Sequence, residues 1–240
     1  TGKHVLPFIE RSGAVTPGMR ILEVGCGEGG NLKPFLERGC RVTGVDQAEN
    51  KINLARALYA DIPGGEEVTL VCDDIYRMTP PAEKYDVVFM RDVIEHIHDQ
   101  ERFMVFIRRF MHEGSRFFLA FPPWQNPFGG HQQICRHRWL ARLPWVHLLP
   151  ASLYRLLLRA AGESPATVES LEEIRETRLT IERFEALYTR SGFCLAARAL
   201  FLVNPNYEVK FGLRPRPRPA LIAALPWIRN FLTTLVYYCL

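Results

Sequence analysis

The chain has 240 residues, of which 48% are hydrophobic and 23% are charged. This composition excludes an intrinsically disordered protein, a collagen-like repeat and a disulfide-stapled miniature, and the length suits one sizeable hydrophobic core. The six cysteines are widely spaced, without a CxxC pair or a zinc-type spacing. We therefore expect reduced thiols in a cytoplasmic protein.

The net charge of +4 is unevenly distributed along the chain. Residues 114–162 contain six arginines and no acidic residue, and residues 209–240 contain five basic residues and no acidic one. The rest of the chain is therefore net acidic. This asymmetry predicts either that the two basic segments face an anionic partner or a membrane surface, or that their arginines pair with acidic side chains elsewhere in the fold.

Short apolar runs alternate with helical periodicity through the first 121 residues, which is the pattern of β-α-β units and a parallel sheet. The predicted strands cover residues 20–24, 41–45, 68–72, 85–90 and 116–121. The predicted helices cover residues 30–38, 50–60 and 100–112. Each strand is apolar along most of its length, as expected for strands that are covered on both faces.

The alternation stops after residue 123, where prolines and a glycine pair interrupt the sequence. A helix is predicted at residues 151–161, a second at 180–191 and a strand near 194–203, followed by an extended Arg-Pro repeat and an apolar segment. We therefore expect four parts, namely a cofactor-binding core (1–123), a helical insertion over the substrate (124–178), a completion of the core (179–213) and a basic, apolar tail (214–240).

A glycine-rich turn directly follows the first predicted strand. Gly25, Gly27 and Gly30 satisfy the G-x-G-x-x-G spacing of dinucleotide-binding proteins, in which glycines allow close approach of the backbone to a ligand. Glu23 lies two positions before the first glycine, where it would repel a pyrophosphate and attract a cation. The turn therefore favours a cationic ligand, while a nicotinamide cofactor remains the alternative.

Four motifs in order carry a family resemblance: ILEVGCGEGG, VTGVD, CDDI and YDVVFMRDVIEHI. Together they resemble the class I S-adenosylmethionine-dependent methyltransferases, particularly the group that includes the ubiquinone-type O-methyltransferases. The resemblance covers residues 20–121. It implies a Rossmann-like α/β fold with a doubly wound, mostly parallel seven-stranded sheet and a helical insertion after the fifth strand.

The resemblance also implies which residues of the first motif bind the cofactor. Gly25, Cys26, Gly27 and Gly29 match the turn that passes beneath the methionine portion of S-adenosylmethionine. Glu23 matches a residue near the ammonium group of the cofactor.

The next two motifs correspond to the nucleoside part of the cofactor. Asp46 matches the acid that accepts hydrogen bonds from both ribose hydroxyls, and Gln47 follows it beside the adenine. Either Asp73 or Asp74 matches the acid that binds the adenine amino group. The spacing to the following Met-Thr-Pro favours Asp74, with Ile75 supplying a backbone N–H.

The fourth motif and the segment after the fifth strand supply the remaining candidates. Arg91 matches a position whose backbone meets the amino-acid end of the cofactor. His96, directly after the fourth strand, and His131, on a glycine-rich loop, are candidate general bases. Asp92, Glu95 and His96 resemble an arrangement that binds a divalent cation in some ubiquinone O-methyltransferases. Relatives without a metal share that spacing, so we expect no metal.

The sequence thus predicts a cytoplasmic methyltransferase that acts on a small, lipophilic or lipid-like acceptor, with O-methylation favoured. Residues 136–160 and 214–240 are expected to contact a membrane surface; the alternative is that the tail packs on the sheet or on a second subunit while the insertion covers the acceptor. Nucleic acid is not an expected partner, since the aromatic residues form no stacking platform. The oligomeric state is not indicated. The alternatives for function are a nicotinamide-dependent oxidoreductase and a non-catalytic, membrane-associated cofactor-binding protein.

Overall fold

The computed structural model describes residues 1–219 and 224–240, which form one mixed β-sheet with helices on both faces. The strands of these residues are β1 (Arg20–Val24), β2 (Arg41–Asp46), β3 (Val68–Cys72), β4 (Tyr85–Arg91), β5 (Met111–Phe121), β6 (Ala197–Val203), β7 (Arg216–Pro217) and β8 (Leu235–Cys239). The helices of the same residues are α1 (Val5–Ile9), α2 (Lys33–Leu36), α3 (Glu49–Ala60), α4 (Gln100–Ile107), α5 (Arg138–Arg142), α6 (Ala151–Ala160), α7 (Pro165–Thr177), α8 (Ile181–Arg190), α9 (Asn206–Phe211) and α10 (Ile228–Phe231).

The order of strands in the sheet is β3-β2-β1-β4-β5-β8-β6-β7. Strands β1 to β5 pair in parallel, whereas β8 is antiparallel to both β5 and β6. The order reverses beside β1, so the crevice at the carboxyl ends of β1 and β4 is the expected ligand site of a doubly wound sheet.

Alternating side chains of the central strands enter two separate hydrophobic layers. Val88 and Phe117 pack with α4 and α8 on one face, and Phe89 and Phe118 pack with α1, α2 and α3 on the other. A strand covered on both faces must be apolar at every position, which explains the continuous hydrophobic runs in the sequence.

The C-terminal part of the chain differs from the sequence prediction. The described sheet has eight strands rather than seven, because the two-residue β7 pairs with β6. More importantly, the predicted tail (214–240) is not separate from the core, because all five residues of β8 are buried between β5 and β6. Tyr237 points to the layer of α1, and Tyr238 points to the layer of α8. The tail packs on the sheet, which is the alternative that the sequence left open. Its strand was not predicted, because a five-residue strand after a proline-interrupted segment resembles a broken apolar tail.

Helices α5, α6 and α7 belong to the segment between β5 and α8. They surround a hydrophobic cluster of their own, which includes Leu140, Tyr154, Leu158 and Leu171. This segment starts at the carboxyl end of β5 and therefore lies at the same edge of the sheet as the ligand crevice. Within the described ranges, no helix has the length and apolar character that a membrane span requires.

The burial of β8 predicts a large loss of stability when its side chains are truncated. We expect Tyr237→Ala to lower the free energy of unfolding by about 3–5 kcal/mol, because its ring is buried against Phe8, Phe118 and Phe201. The exposed Leu232 is the control, and Leu232→Ala should cost no more than about 0.5 kcal/mol. Urea denaturation measures both, and equal midpoints for the two variants would contradict the position of β8.

Candidate functional site

A cavity of about 620 Å³ lies at the carboxyl ends of the parallel strands. Its walls come from the turns after β1, β2, β3 and β4 and from the first turns of α3 and α4. The lining residues are Val24, Gly25, Gly27, Val45, Asp46, Gln47, Lys51, Asp73, Asp74, Ile75, Tyr76, Arg91, Asp92, Val93, His96, Ile97 and Phe103. Most of the predicted cofactor residues therefore meet in one space, together with Lys51, Tyr76 and Phe103, which sequence reasoning did not select.

The glycine-rich turn is held against the end of β2 by backbone hydrogen bonds. The N–H groups of Gly25 and Cys26 both donate to the carbonyl oxygen of Val45, at 2.8 and 3.0 Å. Gly25 has a φ of 72°, and a Cβ atom added there would lie 2.4 Å from a methyl group of Val93. A residue with a side chain would therefore be strained at this position and would displace the cavity wall.

Three residues predicted to bind the cofactor, Glu23, Cys26 and Gly29, do not line the cavity. Cys26 is buried in the hydrophobic layer beneath the turn. Gly29 faces α3, where its carbonyl oxygen accepts a hydrogen bond from the Tyr59 hydroxyl at 2.7 Å, and a Cβ atom added to Gly29 would lie 2.9 Å from the Tyr59 ring. Cys26 and Gly29 therefore support the turn from the side that faces the protein interior.

Asp46 ends β2 and connects the glycine-rich turn to the start of α3. Its Oδ2 atom accepts a hydrogen bond from the Gly27 N–H at 2.8 Å, and its Oδ1 atom accepts one from the Ala48 N–H at 2.9 Å. Each carboxylate oxygen retains a further lone pair for a ligand. The carboxylate is therefore fixed in orientation at the cavity wall, and Gln47 follows it there.

The acids after β3 both reach the cavity wall. Asp74 caps a short 3-10 turn by accepting a hydrogen bond from the Tyr76 N–H at 2.9 Å. Asp73 accepts one from the Asp74 N–H at 2.7 Å. Ile75 also lines the cavity. Because Asp73 and Asp74 both line it, their positions are compatible with either of them as the adenine-binding acid.

A buried polar chain lies behind the wall, next to the glycine-rich turn. Asn31 donates to Glu23 Oε1 at 2.8 Å and accepts a hydrogen bond from Arg91 at 2.8 Å. Arg91 also donates to Asn206 of α9 at 2.8 Å. Burial raises the pKa of Glu23 to about 8, although Asn31 and Arg91 favour its ionised form. The Arg91 guanidinium is therefore held by Asn31 and Asn206 at a residue that lines the cavity.

Three ionisable side chains, Glu95, His96 and His131, form a cluster beside the cavity, which His96 lines, and we call it the histidine cluster. The rings of His96 and His131 lie 5.2 Å apart, and His131 Nε2 lies 4.0 Å from a carboxylate oxygen of Glu95. Burial lowers the pKa of His131 to about 4 and also lowers the pKa of His96. Both rings are therefore uncharged at neutral pH and able to accept a proton.

The same cluster is the arrangement of described residues best suited to a metal ion. One ligand atom from each of Glu95, His96 and His131 lies within 4.8 Å of the others. Asp92, which the sequence motif had grouped with Glu95 and His96, lines the cavity but is not part of this set. His131 takes its place because the loop after β5 folds back over the turn that carries Glu95.

The family is decided by a comparison with known proteins. A family model described as a methyltransferase domain matches residues 5–163. The chain belongs to this family. It is a class I S-adenosylmethionine-dependent methyltransferase, as the motifs predicted, and S-adenosylmethionine is its cofactor. The family match favours this enzyme over the nicotinamide-dependent oxidoreductase that the glycine spacing had left open.

The methyltransferase is similar in sequence to ubiquinone biosynthesis O-methyltransferases. It is 25% identical over 182 residues to that of Bartonella bacilliformis, with 72% of this chain and 68% of the relative covered. It is 32% identical over 117 residues to that of Idiomarina loihiensis, with 48% of this chain and 47% of the relative covered. The alignment thus spans less than half of the second relative.

Solved structures share the fold of the methyltransferase. Phosphoethanolamine N-methyltransferase 2 of Haemonchus contortus, solved with S-adenosyl-L-methionine, has a TM-score of 0.59 at 17% identity, covering 98% of this chain and 51% of that one. An S-adenosylmethionine-dependent methyltransferase from Mesorhizobium loti has a TM-score of 0.56 at 16% identity, covering 97% and 95%. The Rossmann-like sheet predicted from the sequence is thereby confirmed.

The raised pKa of Glu23 predicts a pH-dependent stability of the ligand-free methyltransferase. The folded protein retains the Glu23 proton up to about pH 8, whereas the unfolded chain loses it at the ordinary pKa of a glutamate. The folded state therefore binds more protons between these values, so this residue lowers stability as the pH rises toward 8. We expect Glu23→Gln to gain stability over the wild type progressively across this range, measured by urea denaturation.

The exposed Glu28 of the same turn is the matched control for that experiment. Glu28→Gln should follow the wild-type dependence on pH. A constant difference between Glu23→Gln and the wild type from pH 5 to pH 9 would show that Glu23 has an ordinary pKa.

Proposed function

We propose that the methyltransferase transfers a methyl group from S-adenosylmethionine to a hydroxyl oxygen of a small, lipophilic acceptor, with a histidine as general base. The observation that carries this proposal is the histidine cluster, in which two uncharged imidazoles lie 5.2 Å apart and one of them, His96, lines the cofactor cavity. Displacement at a sulfonium needs alignment and the exclusion of water, and a base is needed only when the acceptor carries a proton that must leave.

The cofactor is proposed to lie across the cavity from the histidine cluster to α3. Asp46 would accept hydrogen bonds from the ribose hydroxyls, since both of its oxygens are already oriented by backbone donors. Gln47, Asp73 or Asp74, and the Ile75 N–H would contact the adenine. Glu23 would attract the ammonium group from behind Gly25 and Gly27, and Arg91 would bind the carboxylate. Cys26 and Gly29 would act indirectly, by supporting the turn.

His131 is our first candidate for the base and His96 the second. His131 has a φ of 56°, and a non-glycine residue held in this left-handed conformation is often found at functional sites. His96 is the more exposed ring and lines the cavity itself. The names of the sequence relatives, which are O-methyltransferases, agree with a hydroxyl acceptor.

The test of this function is methyl transfer from radiolabelled cofactor into organic and aqueous cell extracts, with mass spectrometry of the labelled product. We expect label in the organic fraction. His131→Ala should lower turnover by about 10²-fold or more while S-adenosylhomocysteine binds with unchanged affinity, because only the base is removed. The exposed His137 of the insertion is the control, and His137→Ala should keep full activity. A loss in His96→Ala alone would assign the base to His96.

We further propose that this cytoplasmic enzyme contacts an anionic membrane through the segment between β5 and α7. Trp139 is 82% exposed and Leu156 is 63% exposed, and Leu143, Trp145 and Leu153 are also exposed. Among the described residues, Arg136, Arg138 and Arg142 form no ion pair with an acidic side chain. Apolar side chains flanked by free arginines are typical of membrane-surface segments.

The predicted contribution of the tail to this surface is reduced by the structure. Arg218 is buried and donates to Thr233, and Arg229 is buried between Glu182 and Glu185. These two arginines, together with the buried strand β8, are therefore unable to face lipid. Exposed apolar side chains remain around α10, notably Trp227 and Ile228, while residues 220–223 lie outside the described residues.

Sedimentation with vesicles tests the membrane proposal. Binding should increase with the anionic lipid content and weaken with salt, because the free arginines supply the attraction. We expect the double change Trp139→Ser and Leu143→Ser to reduce binding, whereas Val105→Ser, at an exposed position of α4, should not. Wild-type protein that stays in the supernatant with anionic vesicles at low salt would exclude this contact.

A further inference from the structure

The carboxylate of Glu95 is buried without a hydrogen-bond partner. The residue is 3% exposed, and neither of its carboxylate oxygens has a partner among the described residues. Buried polar atoms are nearly always hydrogen-bonded, so an unpartnered carboxylate indicates a group that its final partner has yet to reach. The nearest candidate is His131, whose Nε2 atom lies 4.0 Å away.

The turn that carries Glu95 is held rigidly from two sides. Gln100 donates from α4 to the Ile94 carbonyl oxygen at 3.0 Å, and Thr177 donates from the end of α7 to the Glu95 carbonyl oxygen at 2.6 Å. Both bonds act on the backbone. The carboxylate is therefore placed by its main chain and is left free to bind another group.

The loop that carries His131 is fixed just as closely. The His131 N–H donates to the Phe128 carbonyl oxygen at 3.0 Å, and a Cβ atom added to Gly130 would lie 2.2 Å from the Cβ of His147. His147 is itself held by a 2.7 Å bond from its ring to the Trp124 carbonyl oxygen. His131 Nε2 and the Glu95 carboxylate are thus both held in place by their backbones, and the 4.0 Å between them is about 1 Å longer than a hydrogen bond.

We propose that Glu95 is a positioning residue that accepts a hydrogen bond from His131 Nε2 when the acceptor fills the site. This inference rests on the proposed function, and it concerns how the base is oriented. With Nε2–H directed at Glu95, the lone pair on Nδ1 is left to accept a proton. A carboxylate behind an imidazole selects the tautomer and stabilises the imidazolium that forms.

The charge environment explains why His131 needs this partner. His131 faces His96 and His147, and burial without a counter-charge holds its pKa near 4. An imidazole with that pKa is a weak base for a hydroxyl group at neutral pH. Glu95 faces Asp92, whose charge raises the pKa of Glu95 in addition to burial. A hydrogen bond between Glu95 and His131 would favour the charged form of each group.

The methyl transfer is then balanced without any further reactant. The acceptor hydroxyl gives its proton to His131 Nδ1, and its oxygen forms a bond to the methyl carbon. The sulfur–methyl bond breaks with both electrons passing to sulfur, which leaves neutral S-adenosylhomocysteine. The proton remains on His131 beside Glu95 until it is released to solvent.

A mutant cycle on Glu95 and His131 tests the inference. We expect Glu95→Gln to lower kcat by about 10²-fold with an unchanged dissociation constant for S-adenosylhomocysteine, since the amide is uncharged. The acidic limb of its kcat profile should move to lower pH, which a purely structural role would not cause. The double variant Glu95→Gln and His131→Ala should be no slower than His131→Ala, because groups that act as a unit are not additive. Glu169→Gln, an exposed change on α7, is the control.

Other outcomes separate this inference from the proposed function. Additive losses in the double variant would overturn the role of Glu95, whereas full activity in His131→Ala would overturn the choice of base itself. Activity abolished by a chelator and restored by magnesium would assign the histidine cluster to a cation and overturn the inference. Should Glu95→Gln fail to fold, nitrogen NMR of wild-type protein with S-adenosylhomocysteine and the acceptor identified in the extract assay decides the matter: a proton on His131 Nε2 supports the inference, and a proton on Nδ1 contradicts it.

Discussion

Strand β8 is the connection on which the rest of the described sheet depends. It forms antiparallel hydrogen bonds with β5 on one side and with β6 on the other, so the last strand of the chain links the parallel half to β6 and β7. Its alternating tyrosines enter both hydrophobic layers, Tyr237 beside α1 and Tyr238 beside α8. The positions of β6 and β7 relative to the parallel strands therefore follow from the pairing of β8.

Removal of water is the common cause of the unusual electrostatics at the site. The same burial that raises the pKa of Glu23 and Glu95 lowers the pKa of His96 and His131. In each case the charged form loses solvation, so these groups beside the cavity are less charged than they would be in water. A cationic cofactor bound in the cavity would favour the ionised form of the acidic groups.

The position of most predicted cofactor residues around one cavity could be predicted from the sequence, because their signals are local. The glycine-rich turn, Asp46 and the Asp73-Asp74 pair each follow a strand directly, and parallel strands bring their carboxyl ends together. The sequence did not predict that Cys26 and Gly29 face the protein interior rather than the cavity, because motif matching does not indicate which way a turn residue faces.

The histidine cluster and the C-terminal strand were harder to predict because they depend on long-range packing. His131 meets Glu95 across 36 positions of the chain through a left-handed backbone conformation that sequence periodicity does not reveal. Strand β8 has a short aromatic and β-branched pattern that suits a strand, but its partners are a strand more than 100 residues earlier and one that precedes it by about 35 residues. The membrane role of the tail was predicted from its arginines and apolar side chains, and the burial of Arg218 and Arg229 removes two of those arginines from any lipid-facing surface.

The separate hydrophobic cluster of α5, α6 and α7 has a consequence for how such an enzyme changes during evolution. Because Leu140, Tyr154 and Leu158 pack with one another rather than with the sheet, substitutions among them can reshape this segment while the cofactor cavity keeps its walls. His131 belongs to the same segment, whereas Glu95 belongs to the core. A change in the packing of this segment would therefore also shift His131 relative to Glu95, the two members of the proposed proton-transfer pair.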